Sequence, residues 1–251
     1  MSLRIRVGFS IVLLLYIGTF ISYYFALIQV GNRVIIAYHS ILLYLGIGIL
    51  LLIERNNLED FNIDHFALIL LILSSFFRSK LGIENEYVFL LFYKVIGSII
   101  LFLYIFNFRN IQKINVYWII ISVIFTIIIA LLLSVVDKTF KSLNSFPYSI
   151  LTLSREFVWA MFAVPIEEFV FRGFIWGYLI KTGIGLKKAM WIQIIMFWFA
   201  HILEIGNILF FIITLPLLTY FLSLLRKFSK NLSPSILSHL LFNIIYRVVN
   251  F

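Results

Sequence analysis

The chain has 251 residues, of which 63% are hydrophobic and 12% charged, with a net charge of +9 and no cysteine. Soluble domains carry about 45–50% apolar and about 25% charged residues, so this composition excludes an ordinary soluble fold. The missing cysteines exclude disulfides, thiol nucleophiles, zinc–thiolate sites and iron–sulfur clusters. The positive charge sits in short connections between apolar runs, as in a membrane protein, and not on a patch suited to nucleic acid.

The first apolar stretch, 8–30, follows Arg4 and Arg6. It exceeds the length of a signal-peptide core and no small-residue cleavage site follows, so it reads as a retained membrane helix. Further apolar segments lie at 34–53, 64–77, 87–106, 116–136, 156–180, 187–203, 206–225 and 234–250. Most approach the roughly 20 residues that span a bilayer. The third is short, so the expected fold is an all-α polytopic transmembrane helical bundle of eight or nine helices. The loops on the side of the N-terminus carry more Lys and Arg than those opposite, which predicts a cytoplasmic N-terminus. Residues 1–150 hold no recognisable motif. Their polar exceptions, His39 and Lys94, read as a packing histidine and a snorkelling lysine. Residues 151–251 carry the chemistry.

Charged side chains at the bilayer centre are expensive and normally face a bundle interior or a wet cavity. Segment 156–180 has Glu167 and Glu168 near its middle and Arg172 four residues after Glu168. On a regular helix Glu168 and Arg172 share a face and can pair, while Glu167 points about 100° away. One carboxylate is then held and the other remains for proton transfer. Pro165 predicts a kink just upstream, and Gly173 with Gly177 offers a small-xxx-small surface for a neighbouring helix. The next segment places Phe197 one turn before His201, and Glu204 near its end. The last places His239 one turn before Asn243, after Ser233 as an N-cap and Pro234 at the first helical position. A His–Asn pair on one face can aim two N–H donors at one oxygen, as an oxyanion stabiliser requires. Three helices thus supply a base, an orienting charge and oxyanion donors.

At these residues the chain resembles the CAAX-protease and bacteriocin-processing (Abi) family. The signatures read Glu167-Glu168-xxx-Arg172, Phe197-xxx-His201 and His239-xxx-Asn243, in the family's order. The resemblance covers roughly 155–245. It implies an intramembrane endopeptidase with its cavity inside a helical bundle. Glu167 would activate water with help from His201. His239 and Asn243 would form the oxyanion hole, with Glu168, Arg172 and Phe197 in support. A metal-independent mechanism is favoured, without a cofactor. The alternative is a zinc ion on Glu167, His201 and His239. The implied substrate is a hydrophobic or lipidated peptide or protein met among membrane lipids, and the residue usage points to a bacterial plasma membrane. Two other classes fit the same features: a non-proteolytic peptide-binding immunity or scaffold protein, and a proton-coupled carrier. The second lacks paired broken helices in corresponding halves.

Overall fold

The computed structural model describes residues 115–140, 163–165, 167–201 and 209–249, with Ser10, Ile17 and Ala160. The first four apolar segments, His39, Lys94, Glu204 and the N-terminal orientation lie outside them. Among the described residues every regular element is helical. In chain order these are α1 (Val116–Phe140), a π-helical stretch (Phe169–Ile175), α2 (Trp176–Lys181), α3 (Leu186–Ala200), a second π stretch (Phe210–Thr214), α4 (Leu215–Ser229) and α5 (Ser233–Val249). Two stretches, Val116–Val135 and Phe210–Ser229, are long and apolar enough to cross a membrane. At 1.5 Å per residue, 20 residues cover about 30 Å of hydrocarbon.

The chain divides into two compact units, one of residues 1–82 and 169–206, the other of 83–168 and 207–251. In the second unit α5 lies along α1 and both meet α4. The reason is visible in α1. Ser122, Thr126, Ala130 and Ser134 recur every fourth residue, and none is more than 1% exposed. A stripe of small side chains lets a second backbone approach closely, which is how helices associate where water supplies no hydrophobic drive. Thr126 hydrogen-bonds Ser238 of α5 through their hydroxyls. Below this contact Ala130 and Leu133 join Leu218, Leu222, Phe242 and Tyr246 in an apolar core. The far face of α1 shows Ile120, Ile124, Leu132 and Val135 to the surroundings, a surface suited to lipid tails.

Both helix interruptions occur where a regular helix was expected. The sequence predicts one kinked helix over 156–180, yet after Glu168 the backbone winds as a π-helix through Arg172 and Gly173 to Ile175. All seven of its side chains are buried, so it shows no lipid-facing stripe. Single π turns inside helices are rare and gather at functional sites. The second π stretch has a local cause. Pro216 stands at the start of α4 and has no N–H to return to the preceding turn. The ladder shifts register just before it, and the Leu215 N–H donates to the Phe210 carbonyl five residues back.

The turns are equally local. Gly183, at φ 85°, ends α2. Its N–H donates to the Ile180 carbonyl and that of Ile184 to the Leu179 carbonyl, the paired bonds of a Schellman turn. Lys230 ends α4 at φ 56°, donating to the Arg226 carbonyl. Ser233 was expected to cap α5. Instead the Asn231 carboxamide oxygen accepts the Ser233 N–H at 2.8 Å, and Ser233 is already helical. An Asx turn closes within two residues, so it reaches the helix start from one position further out.

Candidate active site

In the second unit, the first and third motifs meet. Glu167 and Glu168 are 7% and 0% exposed, and His239 of α5 is 4% exposed. His239 Nδ1 lies 2.8 Å from Glu168 Oε1. Its Nε2 lies 4.0 Å from Glu167 Oε2, beyond direct hydrogen-bonding distance. One imidazole therefore stands between two carboxylates that are neighbours in sequence. A carboxylate can only accept, so Nδ1 carries the proton and donates to Glu168. The neutral ring then offers Nε2 as an acceptor on the side of Glu167. It can donate from Nε2 only when both nitrogens are protonated. Asn243, one turn beyond His239 on α5, is half-buried.

Helical spacing gave Arg172 as the expected partner of Glu168 and did not indicate His239, which is 71 residues away. Glu168 is thus the residue that holds the imidazole's tautomer and tilt. The pairing of a histidine N–H with a buried carboxylate serves a catalytic base and a metal-ligating histidine alike.

In the first unit, the arginine of the first motif meets the second motif. The Arg172 side chain is 0% exposed. Its guanidinium carbon stands 4.3 Å from the centre of the Phe197 ring. Phe171 meets the same ring edge-on at 5.1 Å, and the His201 imidazole lies 4.5 Å from it, centre to centre. Phe197 is fully buried and so serves as a platform between a cation and an imidazole. His201 ends α3, half-buried, with Nδ1 2.9 Å from the Phe197 carbonyl. A carbonyl accepts, so Nδ1 donates, and Nε2 is the acceptor of the neutral ring. The spacing of the second motif thus performs two tasks, a ring contact and a backbone hydrogen bond.

A metal was the alternative chemistry for Glu167, His201 and His239. Among the described residues no group of three or more His, Asp or Glu side chains is arranged to hold a metal ion. The Glu167 Oε2–His239 Nε2 separation is 4.0 Å.

Residues 149–245 match the family model described as type II CAAX prenyl endopeptidase Rce1-like. The C-terminal segment is similar to that family, and the matched range contains every residue of the three motifs. Residues 149–245 are thus similar to a CAAX-type membrane protease family, and two stretches of the described residues are long and apolar enough to cross a membrane. No curated protein and no solved structure matches the chain.

Some contributors gave little signal in the sequence. Ser122 and Thr126 of α1 lie outside the matched range, in a span rich in isoleucine. Their four-residue repeat through Ala130 and Ser134 was the available clue.

Proposed function

We propose that the protein is an intramembrane endopeptidase that hydrolyses a hydrophobic, membrane-associated peptide or protein. One observation carries the reading: Glu167 and Glu168 of the first motif and His239 of the third converge, buried, within 4.0 Å of a single imidazole. Glu167 takes a proton from water as the nucleophile forms, and the family resemblance gives His201 the assisting role. Glu168 orients His239. His239 and Asn243 stabilise the oxygen of the tetrahedral intermediate, which asks His239 to donate from Nε2 while Nδ1 remains on Glu168. The proton that Glu167 takes from water passes to Nε2 in that step and goes on to the leaving amine as the peptide bond breaks. Arg172, stacked on Phe197, supports the second motif. Glutamate-activated water is the chemistry favoured here over a zinc-bound one, and chelation separates the two.

The test uses purified protein in liposomes with a panel of hydrophobic peptides, some carrying a CAAX terminus with a prenyl group. The reaction is run in ¹⁸O-water and the products are read by mass spectrometry. Hydrolysis places one ¹⁸O in the new carboxyl terminus. Peptide retained in the liposomes without cleavage across the panel would support the non-proteolytic binding role instead.

A further inference from the structure

We infer that Thr126, on a helix outside the Rce1-like segment, is a positioning residue for His239, acting through the hydroxyl of Ser238. The inference rests on the reading of His239 as part of the active site.

The hydroxyls form a directed chain. Thr126 Oγ1 donates its proton to the Ser122 carbonyl one turn earlier on α1. A hydroxyl has one proton, so toward Ser238 it can only accept. The chain therefore runs from the Ser238 hydroxyl to Thr126 Oγ1 to the Ser122 carbonyl, tied to the backbone of α1. Ser122, Thr126 and Ser238 are 0%, 1% and 0% exposed, so water cannot replace a lost member.

Ser238 immediately precedes His239 in α5. Rotating α5 by one residue turns a side chain by about 100° and moves it about 1.5 Å along the axis. Either movement breaks a 2.8 Å contact between His239 Nδ1 and Glu168 Oε1. The apolar packing of Phe242 and Tyr246 against Ala130 and Leu133 is non-directional and tolerates sliding. The hydroxyl chain is directional and lies at the level of the imidazole. Its effect falls on the geometry of His239, hence on kcat, and not on substrate binding.

The experiment compares wild type, Thr126→Val, Thr126→Ser and Ser238→Ala in micelles. Valine keeps the branched shape and removes the hydroxyl, while serine restores it. Cleavage of a fluorogenic prenylated CAAX peptide is measured beside the imidazole ¹H–¹⁵N signals of His239 in ¹⁵N-histidine-labelled protein. Thr126→Val is expected to lower kcat about tenfold, with KM unchanged, from a displacement well under 1 Å. The Nδ1–H signal of His239 should shift or broaden, and Thr126→Ser should restore both readouts. Ser238→Ala should reproduce the effect, and it decides the matter if Thr126→Val fails to fold. An unmoved His239 signal in the folded hydroxyl-deletion variants would overturn the inference, as would kcat unchanged in an active background. If wild type cleaves no peptide, the protease reading fails by itself, and the His239 signal still decides whether Thr126 positions the ring.

Discussion

His239 of α5 donates from Nδ1 to Glu168 at 2.8 Å, and neither side chain is more than 5% exposed. The contact joins the first family motif to the third. It makes Glu168 the orienting partner of a histidine whose other nitrogen faces Glu167.

Removing that partner should act on turnover. Glu168→Gln retains an oxygen for Nδ1–H and loses the charge, so it should keep most of the fold and part of the activity. Glu168→Ala leaves the ring unguided and should lower kcat by about a hundredfold or more, as orienting carboxylates do in acyl-transfer sites. Steady-state kinetics on both variants check the order, and equal activity of alanine and wild type would remove Glu168 from the site.

The Arg172–Phe197 stack should be a stability element. Phe197→Leu keeps most of the volume and removes the ring face beneath a fully buried guanidinium. A desolvated cation–π contact is worth about 2 kcal/mol, and the variant should lose about that much in reversible unfolding. Arg172→Lys should not restore it, because a compact ammonium cannot lie flat on the ring.

The two left-handed turn residues should respond in opposite directions. Gly183 is exposed and a Cβ there meets nothing within 4 Å, so Gly183→Ala carries only the backbone penalty of φ 85°. That penalty is about 1–2 kcal/mol for an L-residue. Lys230 already bears it at φ 56°, and Lys230→Gly should raise stability by about 1 kcal/mol. Thermal unfolding in one detergent measures both, with activity unchanged in each.

The three motifs were legible in sequence because each is written within a few residues of one helix. Phe197 and His201 sit one turn apart, and that spacing alone implies the shared face that the ring contact displays. What could not be read depends on distant partners or on winding. The bond of Glu168 to His239 requires α5 to be folded alongside. The π winding from Phe169 to Ile175 leaves no mark in residue type, since it changes which carbonyl receives each N–H. The stripe from Ser122 to Ser134 was written in the sequence at four-residue spacing. That spacing alone does not identify a contact, because isolated Ser and Thr in an apolar helix can satisfy themselves on their own backbone. Thr126 does this with Ser122 while also holding Ser238.

Metal dependence separates the two chemistries offered for Glu167, His201 and His239. With glutamate-activated water, exhaustive chelation followed by assay in metal-free buffer should leave the cleavage rate unchanged. Loss of activity that returns on adding stoichiometric zinc would favour the metal arrangement.

The most direct test of the account is Glu167→Ala in the full-length protein reconstituted in liposomes, assayed against a peptide the wild type cleaves. The account predicts that cleavage falls to the uncatalysed background while thermal unfolding and helix content remain those of wild type. Cleavage at the wild-type rate in the folded variant would contradict it.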